Sequence, residues 1–453
     1  MKKLKLSLQL IVAMLLIVTG SVAQITKRTC GTEAPSIEWD NWFNQKVDEF
    51  KSGLETGKSQ MVNYTIPVVI HVIHGGQTVG TFPNLSQAQL NSQITVLNDD
   101  FAGTGFNVGN LPSVFATALS NTGVSFCLAV KNPTGGILTE PGIDRVNYNS
   151  ITTTTSTTYP SKNPAATNYN TATKFQSFIN GYIKPSTIWD PTKYMNIWIT
   201  DEQSAVGLLG YATFPSGTGL TGLSGFGTST TDGLWCWSKA FGSNTIYPAG
   251  TYDPTYNKGR TATHEIGHWV GLRHIWGDGT CLTDYCNDTP PAQTSNFGCP
   301  THPYKLGTCT GNTTGEMVMN FMDYTDDPCM YMFTNDQAIR IQTAMANGTY
   351  RSLLTSSSMS VCGTNVNIKE ILKSGRIDIF PNPSNGLIFV SSENISKLDI
   401  CVYNSIGSQV TDVNYIKTEN EWRIDISNRE RGVYFITVNN GKETKVKLII
   451  LSN

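Results

Sequence analysis

Residues 264–274 read His-Glu-Ile-Gly-His-Trp-Val-Gly-Leu-Arg-His. His264 and His268 are four apart, so on a helix they project from one face with Cβ atoms roughly 5–6 Å apart. That reach suits two imidazoles on one Zn²⁺ at ~2.0–2.1 Å. Glu265 projects beside them without having to ligate, and can take a proton from a water that the metal polarises. Gly271 adopts φ > 0 without steric cost and ends the helix. The chain can then turn and bring His274 to the ion as third ligand. Three protein ligands leave a fourth position open, as a catalytic zinc requires. Half of the six histidines lie in this motif. His71 and His74, on or beside a strand, and His302, in a loop, read as structural.

The surrounding sequence must position these residues. The motif itself occupies a helix over Thr261 to Val270. Thr334 to Ala346 reads as another helix, with Thr334 as cap and Gln337 three residues on, a capping-box pattern. Leu90, Ile94, Leu97 and Phe101 share one face of a helix over Ser86 to Phe101. The run 65–74, Thr-Ile-Pro-Val-Val-Ile-His-Val-Ile-His, reads as a buried strand closed by Gly75-Gly76. Val124 to Val130 and Met195 to Thr200 are further strands. Gly-rich stretches dominate 203–233, and the Thr/Ser/Asn-rich segment 147–173 reads as a surface loop. From about Arg376 the pattern changes to short alternating strands: Ile377–Phe380, Leu387–Val390, Leu398–Tyr403, Val433–Val438 and Val446–Leu451. Turn residues separate them at the spacing of a small β-sandwich.

A chain of 453 residues is long for one domain. Its net charge of −2 gives no pull toward nucleic acid or an acidic membrane surface. Charged residues are 15% of the chain, below the usual ~25%, which suits a loop-rich extracellular protein. Lys2, Lys3 and Lys5 precede an apolar run from Leu6 to Val18, and Ser21-Val22-Ala23 offers small residues for cleavage. This is a secretory signal peptide over 1–23. The run falls short of the ~20 residues that a span needs, and no other run is apolar enough, so no membrane span is expected in the mature form. Five of the ten cysteines fall between Cys281 and Cys329. In an exported protein that cluster reads as disulfides rather than a thiolate metal site.

The full pattern His-Glu-x-x-His-x-x-Gly-x-x-His is the metzincin signature. Asn320-Phe321-Met322-Asp323-Tyr324 fits the Met-turn of such proteins, with Met322 as an apolar floor beneath the metal. With the segment Asn287-Asp288-Thr289-Pro290-Pro291 and the cysteine spacing, these residues resemble the pappalysin family over roughly 61–350. The resemblance implies an α/β (α+β) metzincin fold: a twisted sheet, an active-site helix and an irregular lower subdomain. It places an edge strand near Gly207 to Phe214, to which a peptide substrate could add. It implies Tyr324 as a hydrogen-bond donor to the tetrahedral oxyanion, disulfides Cys281–Cys309 and Cys299–Cys329, and a structural Ca²⁺ near Asp284, Asp288 and the Thr289 carbonyl. Asp327 would lie at the base of the S1′ pocket and select cleavage on the N-terminal side of Arg or Lys. Cys30, in Arg28-Thr29-Cys30-Gly31, belongs to a prosegment over 24–60. Its thiolate could fill the fourth zinc position in a latent form, and a disulfide with Cys362 is the competing reading. Activation would follow removal of the prosegment, by self-cleavage before Lys51 or Lys58. The partners of Cys127, Cys236, Cys286 and Cys362 stay open.

Ile379-Phe380-Pro381-Asn382-Pro383-Ser384-Asn385-Gly386, then Gly432-Val433-Tyr434-Phe435, then Lys445 to Leu451 resemble the sorting domains of the type IX secretion system. The likeness covers about 376–453 and makes that machinery a partner. Residues 351–375 then read as a linker. The expectation is a secreted zinc metalloendopeptidase acting on proteins or peptides. The competing reading is an adhesive surface protein whose protease-like domain has lost activity, and the intact Glu265 argues against it.

Overall fold

The computed structural model describes residues 28–203, 205–217, 225–354, 361–362, 377–380, 384–392, 398–405, 407–417, 421–439 and 444–451. The expected signal peptide lies outside them. The chain divides into two compact units, residues 1–363 and 364–453.

The first unit is built on a mixed sheet. Its strands are β1 (Tyr64–His74), β2 (Val124–Leu128), β3 (Ile143–Asn147), β4 (Met195–Thr200), β5 (Gly210–Ala212) and β6 (Leu234–Trp237). They run in the order β2-β1-β4-β6-β5, with β3 also pairing β1. All pairs are parallel except β5 with β6, which places β5 antiparallel at the sheet edge. Parallel strands covered on both faces read as continuous apolar runs, and eight consecutive residues of β1, Ile66–Ile73, are buried. The expected edge strand is shorter than Gly207 to Phe214, because only Gly210–Ala212 pairs with β6. His71 is structural: its ring bonds Asp144 at 2.8 Å and Asn196 at 2.9 Å and stacks on Trp198.

Five helices matter for the site: α1 (Ile37–Glu55), α2 (Gln87–Phe101), α3 (Ala172–Phe178), α4 (Arg260–Trp269) and α5 (Asn335–Asn347). Ser86 caps α2 by accepting from Gln89 N. Thr334 caps α5 in a complete capping box with Gln337. α3 continues through a π turn at Ile179–Ile183. The segment expected as surface loop before it is not all on the surface, since Tyr169 is buried and stacks on Phe178. α1 was not foreseen. Its apolar face, Trp39, Phe43 and Val47, is fully packed.

The first unit runs past the limit at 350 expected for the metzincin-like domain. Arg351 and Leu354 are buried, Val361 packs beside Val69, Ala129 and Tyr194, and Cys362 is disulfide-bonded to Cys127. The expected linker therefore begins later than residue 351. Residues 355–360 and 363–375 of it lie outside the described residues.

The second unit is a β-sandwich of two antiparallel sheets. One comprises Asn414–Lys417, Glu421–Asp425, Leu387–Ser392 and Ile377–Phe380 in that order; the other comprises Thr444–Leu451, Gly432–Asn439 and Asp399–Asn404. Ile388, Val390, Val402, Ile424, Ile436 and Ile449 fill its core. Cys401 is free and only partly buried, because Val402 takes the inward position of that strand.

Candidate metal centre

Helix α4 starts at Gly259 without a side-chain cap. The carboxylate of Asp327 takes that role, accepting from Lys258 N at 2.8 Å and Arg260 N at 3.3 Å. A carboxylate is favoured there by the unpaired amides and the positive end of the helix dipole. The N-terminal turn is braced further by Asp100, which takes an ion pair from Arg260 and a 2.7 Å hydrogen bond from Thr263. Burial outweighs these partners and lifts the Asp100 carboxyl to about 6. The helix ends after Trp269, and Gly271 takes φ +89°. A Cβ there would also meet the Phe43 ring at 2.9 Å. This turn carries His274 back toward His264 and His268.

Each histidine is oriented from behind by its Nδ1: His264 on Phe321 O at 2.7 Å, His268 on Leu272 O at 2.8 Å, and His274 on Asp278. Those partners accept, so each ring carries its proton on Nδ1 and presents a bare Nε2 lone pair. His264 Nε2 is buried without a partner, and His268 Nε2 lies 3.1 Å from His274 Nε2. Three buried acceptors facing one point, with no donor among them, fit a cation. Cys30 Sγ completes a set of four ligand atoms within 4.8 Å of one another. Burial, with the neighbouring rings, pushes His264 well down and His268 to about 3, so both remain neutral ligands.

Glu265 stands beside this cluster. Its Oε2 accepts from Thr32 Oγ1 at 2.9 Å and from the Cys30 thiol at 3.4 Å. Burial raises its carboxyl to about 7. Met322 is fully buried below the helix. A Cβ on Gly267 would come within 2.3 Å of Met322 Sδ, so only glycine lets the sulfur lie against the turn between the two histidines. The Tyr324 ring stands 5.7 Å from that of His264 and 4.9 Å from that of His274. Burial, with Cys30 and Glu265 nearby, pushes its phenol up and keeps it a donor.

Residues 28–31 cross this cleft. Gly31 N donates to Gly210 O at 2.8 Å and Leu209 N to Thr29 O at 3.0 Å, so the segment pairs with β5 in parallel. Arg28 is 2% exposed and Asp327 fully buried. They pair at 2.6 Å, while Arg28 also donates to Thr261 Oγ1 and Thr325 O, both at 3.3 Å. The guanidinium lies over the Tyr256 ring.

His264, Glu265, His268, His274, Met322, Tyr324, Asp327 and Cys30 thus meet at one cleft. Asp284, Asp288 and Thr289 belong to a separate loop. Thr289 Oγ1 bonds both Asp284 oxygens at 2.8 and 2.9 Å, and Asp288 Oδ2 accepts from Asp336 N at 2.9 Å. Disulfides join Cys281 to Cys309 and Cys299 to Cys329, while Cys236 and Cys286 are free and buried. The Cys127–Cys362 bond and the place of Cys30 overturn the Cys30–Cys362 alternative.

Sequence reading missed the support behind His274. Asp278 bonds its Nδ1 and also takes Arg273 Nη1 at 2.7 Å. Arg273 in turn grips Asp40 of α1 at 2.6 and 3.0 Å. A carboxylate four residues past the third histidine was the available signal.

Comparison with known proteins matches this geometry. The family described as pregnancy-associated plasma protein-A, peptidase M43, matches residues 180–346, and the secretion system C-terminal sorting domain matches 378–452. An extracellular metalloprotease of Verticillium alfalfae is 30% identical over 339 residues, 74% of this chain and 95% of that protein. Mature mirolysin of Tannerella forsythia, solved with a cleaved peptide, is 34% identical with a TM-score of 0.52, covering 67% of this chain and 99% of that one. A promirolysin structure from the same organism is 32% identical with a TM-score of 0.54, covering 74% of this chain and all of that one.

Proposed function

The chain belongs to the pappalysin family of metalloproteases, and on that premise we propose that it is a latent zinc endopeptidase cutting on the N-terminal side of Arg or Lys. It is a secreted metalloendopeptidase, exported with a C-terminal sorting domain. Among the described residues no helix is long and apolar enough to cross a membrane. The observation that carries the zinc assignment is the convergence of three bare Nε2 atoms beside Glu265. All-nitrogen ligation from three imidazoles, with one further position, suits Zn²⁺.

When bound by His264, His268 and His274, zinc would polarise the attacking water and the scissile carbonyl. Glu265 takes the water proton and later gives it to the leaving amine. The Tyr324 phenol donates to the oxyanion. Met322 fixes the floor, and β5 offers its edge to the peptide backbone. Asp288 Oδ1, buried without a partner, supports a structural Ca²⁺ in the 284–289 loop. Asp284 supports it less, since Thr289 already bonds both of its oxygens.

Specificity and latency rest on the same contact. Arg28 fills the Asp327 pocket as the basic side chain of a substrate would. In a substrate cut before Arg, the carbonyl at the metal lies N-terminal to the pocket residue. In the prosegment the residue at the metal, Cys30, lies C-terminal to Arg28. The segment therefore occupies the cleft with reversed polarity and presents no scissile bond, while Cys30 holds the fourth metal position.

Casein degradation by the activated enzyme should stop on adding a zinc chelator and return with Zn²⁺. Glu265→Ala should keep the metal and lose at least about 10²–10⁴-fold in turnover. Near-normal turnover in that variant contradicts the mechanism.

A further inference from the structure

The prosegment is anchored twice. One anchor is the pair Arg28 and Cys30 in the cleft. The other is α1, which packs against Phe214, the turn at Gly271 and Arg340 of α5. Trp39 and Phe43 are fully buried and Val47 is 4% exposed. Trp39 Nε1 donates to Pro215 O at 2.8 Å, and its ring packs edge-on to Phe214. The receiving surface is shaped for these rings: a Cβ on Gly217 would meet Trp42 at 2.4 Å, and one on Gly271 would meet Phe43 at 2.9 Å.

Two buried arginines complete the seat. Arg273 forms a bidentate pair with Asp40 and also donates to Pro35 O at 2.8 Å. Arg340 lies over the Phe43 ring at 4.7 Å and donates to Asn44 Oδ1 at 2.7 Å. Lys51 pairs with Asp336 at 2.9 Å. The helix ends at Glu55, and the exposed turn with Lys58 follows. Of the two expected cleavage points, Lys51 is held in the helix and Lys58 is open. None of the contacts made by Trp39, Asp40, Phe43, Asn44 or Val47 crosses residues 56–60.

We propose that the groove formed by Phe214, Gly217, Gly271, Arg273 and Arg340 is a docking site for the prosegment helix that outlasts cleavage. A cut at 56–60 then leaves the helix seated, and the enzyme stays latent with its own prosegment bound non-covalently. Activation needs a second event that removes α1. Cutting the tether turns an intramolecular contact into a bimolecular one, and the helix anchor supplies the binding that Arg28 and Cys30 would otherwise have to supply alone.

This rests on the latency reading above, and the test lets the two fail separately. A site for a sequence-specific processing protease is inserted between Gly57 and Lys58 of the full-length chain carrying Glu265→Gln, which blocks self-cleavage. After complete nicking at micromolar protein, gel filtration and intact mass read whether the prosegment co-elutes. It should co-elute, and Asp40→Asn with Phe43→Ala should cut the retained fraction about tenfold. With Glu265 intact, nicking should precede the appearance of activity. Cys30→Ser separates the readings: the nicked prosegment should still be retained through α1 even if inhibition is lost. Dissociation of the unaltered piece on nicking overturns the proposal. So does retention that Asp40→Asn with Phe43→Ala leaves unchanged, or that Cys30→Ser alone abolishes.

Discussion

At the scale of single residues, the metal motif is legible because its members are fixed at short spacing on one helix and one turn. What holds them is not. His274 is oriented by Asp278, Asp278 shares Arg273 with Asp40, and Asp40 lies 233 residues from Arg273 in sequence. No local pattern announces such a pair. The salt bridges and the His274 hydrogen bond hold the Asp278 carboxyl at about 2 against the opposing effect of burial. A carboxylate behind a ligating imidazole fixes its tautomer and raises its basicity. Asp278→Ala should therefore weaken zinc affinity by about 10–100-fold, measured by competition with a chromogenic chelator. Unchanged affinity would show that the His274 ring is held by packing on Trp276 alone.

At the scale of elements, apolar periodicity located α2, a capping box α5 and the metal motif α4, and β1 announced itself as an apolar run. The missed helix α1 carries its signal in plain form: Ser36 as cap, then Trp39, Phe43 and Val47 four apart. Its polar face masked it, since a segment that reads as polar overall can still bury one stripe. The active-site helix depends on a close fit that sequence alone does not reveal. Gly267 sits against Met322 Sδ in the turn between the first two ligands. Gly267→Ala should force the sulfur away and destabilise the folded unit by about 1–3 kcal/mol, the usual result of overpacking. Thermal unfolding of the metal-loaded full-length protein checks it. An unchanged midpoint would mean that Met322 yields freely.

At the scale of the whole molecule, the two-unit division was readable from the change in strand pattern near Arg376. Its position was not, because the last anchor of the first unit is a charged residue, Arg351, that is buried all the same. Arg351 donates to both Asp232 oxygens, at 2.6 and 2.7 Å, and its guanidinium stacks over Trp269 of α4 at 3.8 Å. Cys362 then ties the segment to Cys127. A chain ending near residue 365 should keep both and hydrolyse peptides as well as the full-length enzyme does. One ending at 350 should lose roughly 3–5 kcal/mol of stability, since Asp232 would be left charged and buried without its partner. In the native host, loss of the sorting domain should leave the protein in the periplasm. Normal secretion of the 365-residue form would contradict the sorting role.

The central claim is that a zinc-dependent centre and the Asp327 pocket together define the cleavage reaction. Proteome-derived peptide libraries cut by the activated enzyme test it most directly. Cleavage should fall on the N-terminal side of Arg or Lys, vanish with chelator and return with Zn²⁺. Asp327→Ala should lose the basic preference while retaining its metal. Aliphatic residues after the scissile bond in the unaltered enzyme, or cleavage that survives chelation, would contradict the account.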